Sequence, residues 1–399
     1  MSLELSKKAL AVKPSSTLAI TAKAKTMKNM GMDIVGFTAG EPDFDTPAHI
    51  REAAKRAIDE GFTRYTPASG ITELKEAIIK KFRDFNNLHY EQDQIVVCNG
   101  GKHVLTNVFT AIINPGDEVL IPAPYWLSYP EIVKLADGVP VFVYGSKETN
   151  YKVSVEQLEA AYTPKTKALI LNSPNNPTGM IYYRDELEAI ARFAVEHDIY
   201  VVSDEIYENL FYSSHGHISI ASLGDEIYKR TITVNGLAKS YAMTGWRIGY
   251  CGAPAEVAAV MSSVQSHQTS NPNSIAQKAA VDALSGDQTC VRVMNEAYDE
   301  RRKYIFERVN KNKYLSALEP KGAFYVFVDC EELIGKKYKG RVIKDAADVG
   351  DILISDYYVA IIPCADFGFP DHFRLSYAIS QSMIEKGMDR IDAFTEALE

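Results

Sequence analysis

Cysteine is scarce in this chain, and its pattern pairs with nothing. Cys98, Cys251, Cys290, Cys330 and Cys364 are odd in number and scattered, with no C-x-x-C spacing. That argues against a disulfide framework and a thiolate zinc site, and for a reducing compartment. No apolar run reaches the roughly 18 residues of a membrane span. The opening "MSLELSKKALAVKPSS" lacks the apolar stretch of a secretory signal. Positive charge is in deficit: Lys and Arg number 43 against 52 Asp and Glu, a net charge of −9. A nucleic-acid surface is not expected from that balance, although a local basic pocket stays open. Repeats, low-complexity blocks and Ser/Gly linkers are also missing. These absences predict a cytoplasmic protein with no nucleic-acid and no membrane partner.

What is present is ordinary globular material, 46% hydrophobic and 24% charged over 399 residues. That length fits a large domain with a smaller one appended. From residue 46 the chain alternates amphipathic helices with short, nearly all-apolar strands. "TPAHIREAAKRAID" reads as a helix with Thr46 as N-cap and Pro47 at its first position. "ITELKEAIIKKFRDF" reads as the next helix. "QIVVC", "EVLIP", "VPVFVY", "KALILN", "YVVSD" and "TITVN" read as strands, and "SVEQLEAAY" opens with a capping box of Ser154 and Gln157. The fold class is α/β: a mostly parallel central sheet with helices on both faces, plus a smaller α/β domain. A long helical stretch is expected over 274–310. "GAFYVFVDC", "YVAIIPC" and "FRLSYA" follow as strands, and a last helix closes the chain. The expected division is 1–45 as a segment of the small domain, 46–285 as the large domain and 286–399 as the rest of the small domain.

Four features fall at predicted strand ends, where sheets of this kind bind ligands. Asp204 ends "YVVSD", with Tyr207 three residues on. "NSPNNPTG", 172–179, is a turn whose X-Pro bonds invite a cis peptide. "NGGK", 99–102, opens a helix with free N–H groups suited to phosphate. In "NGLAKSYAMTGWRIGY", Lys239 lies eight residues before Arg247 with no acid between them. A phosphate held by Arg247 and by the N–H groups of Gly101 and Lys102 would explain that pair. Lys239 would then be the nucleophilic amine or carry an imine, and Asp204 would face a protonated ring nitrogen. Pyridoxal 5′-phosphate has all three groups.

With "KPSSTLAI", "TAGEPDFDTP", "YTPASGITELKEAI", "PYWLSYPE", "VSDEIYE" and "FRLSYA" also present in order, the chain resembles the fold-type I, class I aminotransferases. It is most similar to the bacterial aspartate aminotransferases of subgroup I-beta. The resemblance implies that Lys239 is the Schiff-base lysine and proton carrier, and Asp204 the partner of the pyridinium. Tyr207 and Asn176 would donate to the ring 3′-oxygen, Trp126 would stack on the ring, and Arg247 would hold the phosphate. Tyr65 would reach the phosphate of a neighbouring subunit, which implies a homodimer. Arg374 would grip the substrate α-carboxylate, and Gly40 would let substrate pass close to the backbone.

Two positions depart from the animal and enterobacterial subgroup, which has a serine on the phosphate at Gly236 and a threonine at Lys102. In subgroup I-beta a lysine at Lys102 reads the distal carboxylate, helped by Ser15 and Thr17; a second phosphate cation is the other reading. The implied activity is amino transfer from L-aspartate to 2-oxoglutarate, with prephenate or a broader acceptor range as the alternative and a β-elimination lyase as a remote one. The N-terminal segment would act as a lid in domain closure. His103 is read as a helix-start or packing residue. "HGHIS", 215–219, and "KKYKGR", 336–341, are read as surface loops, with no metal site.

Overall fold

The computed structural model describes residues 3–213 and 216–399. Its largest sheet has seven strands. From one edge they run Ile95–Cys98, Gly249–Gly252, Thr231–Gly236, Tyr200–Asp204, Thr166–Asn172, Glu118–Ala123 and Val139–Tyr144. Only Gly249–Gly252 runs antiparallel to its neighbours. All the expected strands of this sheet therefore form. Ile95–Cys98, Thr231–Gly236 and Gly249–Gly252 are buried at every position, as a sheet covered on both faces requires.

The helices cover it for reasons visible in their sequences. Ala48–Asp59 buries Ile50, Ala53, Ala54 and Ala57, a single face at helical spacing. Ser274–Ser285 meets it with Ala276, Ala279, Ala280 and Ala283, and the small side chains allow close approach. The capping box of Ser154 and Gln157 starts helix Val155–Ala161. Thr46 is corrected: Pro47 occupies the N-cap of Ala48–Asp59 without a side-chain bond. The Thr46 hydroxyl instead donates to the Ala242 carbonyl at 2.6 Å and accepts from Trp246 Nε1 at 3.0 Å. The stretch over 274–310 is also corrected. It is two helices, Ser274–Ser285 and Thr289–Lys311, with the break at Gly286, where a β-carbon would strike the Asp282 carbonyl.

The second sheet is antiparallel, ordered Ile362–Pro363, His372–Ser376, Tyr325–Asp329 and Ser316–Ala317. "YVAIIPC" splits between sheets, because Val359–Ala360 pairs in parallel with Val35–Gly36. That pairing ties the N-terminal segment to the C-terminal part, and one core joins Val35 and Phe37 to Phe373, Leu375 and Phe394. "KKYKGR" is a short hairpin rather than a loop: Lys337–Tyr338 pairs with Arg341–Val342, Tyr338 is buried, and Lys339 and Arg341 meet Asp356 and Asp348. All five cysteines are free. Among the described residues no helix is long and apolar enough to cross a membrane.

Gly252 shows how tightly the edge of the large sheet is packed. The ring of Tyr90 fills the space where a β-carbon would lie, and Tyr90 is fixed by a 3.0 Å bond to Thr233 and by stacking on Tyr228. Gly252→Ala should cost about 1–3 kcal/mol of stability through overpacking. A urea titration should read this as a lower midpoint; an unchanged midpoint would show that the ring can give way.

Candidate active site

The parallel strands deliver their C-terminal ends to one cavity of about 390 Å³. After Ile95–Cys98 the chain turns at Gly100, φ 90°, into helix Gly101–Ile112. After Glu118–Ala123 comes Trp126, and after Thr166–Asn172 comes Asn176. Tyr200–Asp204 ends on Asp204 itself, with Tyr207 beyond it. Thr231–Gly236 leads into Lys239 and then Arg247. Each of these side chains lines the cavity, as do Gly101 and Lys102. Arg374 enters from the second sheet, and Ser15, Thr17 and Gly40 from the N-terminal segment. Tyr65 alone among the expected site residues lies elsewhere, 89% exposed on the surface.

Lys239 donates from Nζ to the Gly40 carbonyl and lies 5.9 and 5.8 Å from the ring centres of Tyr207 and Phe324. Burial pulls its ammonium down to about 8; Glu41 and Asp204 oppose the change, while Arg374 and Arg247 add to it. An amine so lowered is available as a nucleophile or base near neutrality. Asp204 is 5% exposed, and burial pushes its carboxyl up to about 6. Tyr129 donates to its Oδ2 at 2.8 Å and the Ile206 N–H to its Oδ1 at 3.2 Å, both favouring the anion.

Arg374, 2% exposed, donates from Nη1 to Asn176 Oδ1 at 2.9 Å and from Nη2 to the Thr38 carbonyl at 3.2 Å. Its Nε is buried with no partner. Because Asn176 spends its oxygen on Arg374, its NH2 is the end left to donate into the cavity. The Tyr207 hydroxyl pairs with that of Tyr325 at 2.9 Å. Arg247 has a left-handed backbone, φ 56°, and its Nη1 donates to the Thr244 carbonyl at 2.8 Å. Its guanidinium fills the space beside Gly100 that a β-carbon would take, and the φ of 90° there is one that L side chains rarely adopt, so glycine suits this turn. Lys102 Nζ sits 4.9 Å above Trp126, its charge disfavoured by burial and then by Arg247. Ser15 caps its helix by accepting from the Leu18 N–H at 3.3 Å, whereas the buried Thr17 hydroxyl has no partner.

Sequence reasoning passed over three residues here. Tyr129 lies one helical turn after Trp126 in "PYWLSYPE", the only local hint of its role beside Asp204. Tyr325 carried no signal beyond its place in an apolar strand. Glu41, in "TAGEPDFDTP", carries no chemical signal of its own in the sequence. His103 is as expected, accepting from the Asn99 N–H at 3.2 Å and meeting Gln268 at 3.2 Å.

"HGHIS" is corrected where it can be seen; His215 lies outside the described residues. The side chain of His217 is 3% exposed and meets Glu205 Oε2 at 2.8 Å. The donor atoms of Glu205, Glu208 and His217 lie within 4.8 Å of one another, close enough for a cation. Protein donors already hold both carboxylates: Ser203, Ser219 and Asn86 on Glu205, and Lys81 and Asn86 on Glu208.

Comparison with known proteins agrees with this geometry. Residues 32–391 match the family model "Aminotransferase class I and II". An aspartate aminotransferase of Bacillus sp. (strain YM-2) is 48% identical, covering 96% of this chain and 97% of the relative. An aspartate/prephenate aminotransferase of Nitrosomonas europaea is 44% identical, covering 98% of this chain and 99% of the relative. Among solved structures, an aspartate aminotransferase from Rhizobium meliloti superposes with a TM-score of 0.96 at 39% identity, covering all of both chains. One from Thermus thermophilus with maleate gives 0.92 at 44% identity, covering 98% of this chain and 100% of that one. A part-buried lysine, a buried aspartate and an arginine with a partnerless Nε around one cavity thus coincide with full-length similarity: the chain belongs to the class I and II aminotransferases.

Proposed function

We propose that this pyridoxal 5′-phosphate-dependent transaminase carries the amino group of L-aspartate to 2-oxoglutarate, giving oxaloacetate and L-glutamate. The observation that carries the diacid reading is a pair of buried, unpartnered polar groups lining one cavity, Arg374 Nε and Thr17 Oγ1. With Lys102 lining the same cavity as Arg374 and Thr17, the site offers cations for two carboxylates. Prephenate as a further acceptor is supported by the name of the Nitrosomonas relative and by Lys102, whose single flexible ammonium selects less by geometry than an arginine fork does.

The residues fit the cofactor. The Gly100 turn, the N–H groups at the start of helix Gly101–Ile112 and Arg247 make a phosphate cradle. Asp204 supplies the one anion suited to a protonated ring nitrogen. When bound, pyridoxal 5′-phosphate supplies an aldehyde for amines and a ring that accepts electrons from the adjoining carbon. Lys239 would hold the cofactor through Nζ and, once free, would take up and return the substrate α-proton. Asp204 keeps the ring nitrogen protonated. Tyr207 and Asn176 would donate to the ring oxygen, and Trp126 would cover the ring face. Arg374 fixes the α-carboxylate beside the Gly40 backbone, and Lys102, Ser15 and Thr17 take the distal carboxylate.

The same reading gives Tyr65 a place: its exposure suits a residue that a second copy would bury, reaching that copy's phosphate in a cytoplasmic homodimer. We also place the domain divisions at about 45 and 285, supported by the pairing of Val35–Gly36 with Val359–Ala360. The segment carrying Ser15 and Thr17 is held by Lys8 on Asp137 and by the Lys13 N–H on Glu131, contacts that a closing lid would remake.

Single amino-acid half-reactions, followed by the cofactor spectrum, test the substrate. Aspartate and glutamate should convert the cofactor far faster than alanine and phenylalanine, and Lys102→Ala should slow the diacids selectively, by about 10-fold or more. Equal rates for all four would remove the diacid assignment.

Asp204 gives a second test. Without a counter-charge, burial favours its protonated form, so its contribution to stability is full below the ordinary value of 3.8 and is lost as pH rises through about 6. A cationic ring nitrogen reverses that loss. Cofactor should therefore raise the melting temperature more at about pH 7.5 than at about pH 5, and Asp204→Asn should remove most of the difference. An equal gain at both pH values would show that Asp204 does not meet a cation.

A further inference from the structure

The cavity contains one carboxylate with no part in the scheme above. Glu41 follows Gly40, whose carbonyl accepts from Lys239 Nζ, so its side chain begins one residue from that contact. It reaches across the mouth of the cleft, where Thr244 Oγ1 donates to Glu41 Oε2 at 2.8 Å. The Thr244 carbonyl in turn accepts from Arg247 Nη1 at 2.8 Å. Glu41 and Thr244 both line the cavity, and Glu41 is exposed at its rim. The hydrogen bond to Thr244 thus ties an acid of the N-terminal segment to the loop that carries Arg247.

The groups around Lys239 make this acid consequential. Arg374 comes from strand His372–Ser376 and Arg247 from the loop beyond Lys239's own turn. Asp204 comes from the end of strand Tyr200–Asp204, with Tyr207 after it, and Phe324 presents an uncharged ring face. Two cations thus face two acids. In the proposed function, on which this argument rests, the cofactor engages Asp204 through its ring and Arg247 through its phosphate, and that leaves Glu41 as the carboxylate near Lys239 with no other charge to meet.

We propose that Glu41 is the charge partner of the Lys239 nitrogen, a positioning residue that keeps a carboxylate near it from across the cleft and so governs when that nitrogen is free to take up a proton. Burial is the main force lowering the lysine, and the charge of Glu41 is the strongest force opposing it. Removing the charge while keeping the shape leaves only Asp204 against burial and the two arginines, so the Lys239 proton should be lost at lower pH. The Thr244 bond matters because a free glutamate at an exposed rim would spend its charge on solvent.

The test is competitive acylation of Lys239 across a pH series, on the full-length, cofactor-free protein, read by peptide mass spectrometry. Wild type should titrate near 8. Glu41→Gln should titrate lower by about half a unit to one unit, a shift reduced from that of a buried pair because Glu41 is exposed. Glu41→Asp should restore most of the shift. In the cofactor-loaded enzyme, the pH at which the visible band changes with protonation of the Lys239 nitrogen should fall in the same direction in Glu41→Gln. No shift in Glu41→Gln, or an upward one, would overturn the proposal. A fall shared equally by Glu41→Asp would assign the effect to the shape of the side chain rather than its charge, and would overturn it too. The labelling needs neither amino-acid substrate nor turnover, so failure of the aspartate assay and failure of this inference are separate results.

Discussion

Asp204 ends the fourth of seven strands, where its carboxylate is 5% exposed. An anion at such a site is disfavoured unless a cation or several donors meet it. The chain supplies two donors, the Tyr129 hydroxyl and the Ile206 N–H, and the carboxyl still stays raised to about 6. The remainder of the site can be read as the answer to that unpaired charge. In the proposed function a ring with a protonatable nitrogen completes it, and Arg247, Lys239 and Trp126, which line the same cavity, would hold its phosphate, bind it and cover its face.

Close backbone approach makes this arrangement possible. Gly249 packs against the peptide joining Gly100 and Gly101, where any side chain would strike the backbone. Gly100 itself yields its side-chain space to the Arg247 guanidinium. Sequence and strand pairing therefore together set where Arg247 lies. The antiparallel strand Gly249–Gly252 brings Arg247 beside the start of helix Gly101–Ile112, and glycine is the residue that lets the two meet. Arg374 arrives from a different sheet, so the pairing of His372–Ser376 with Tyr325–Asp329 decides where the α-carboxylate of a substrate would be held.

The fold was legible because it follows from local pattern, and so were Asp204, the Gly100 turn, Lys239 and Arg247 as strand-end features; the other expected cavity residues rested on the resemblance. Apolar runs of strand length, capping signals and strand-end turns need only neighbours in the chain. What escaped depends on contacts across long separations. Thr46 resembles an N-cap locally, yet Ala242 and Trp246, about 200 residues away, take its hydroxyl. His217 reads as a polar loop residue until Glu205, at the end of a central strand, draws it into the interior. Tyr129 looks like packing because its partner, Asp204, is 75 residues distant. Glu41 carries no motif of chemistry on its own; its relevance arises only once Gly40 is against Lys239. Tyr65 is the reverse case, a residue conspicuous in sequence that lies exposed, away from the cavity.

The central claim is that Asp204 is an anion paired with a cation on the bound cofactor. Nitrogen NMR of the enzyme loaded with pyridoxal 5′-phosphate carrying a labelled ring nitrogen tests it directly. The account predicts a protonated ring nitrogen at about pH 7.5 in wild type, and loss of that proton in Asp204→Asn. An unprotonated nitrogen in wild type, or one whose state ignores Asp204, would contradict it.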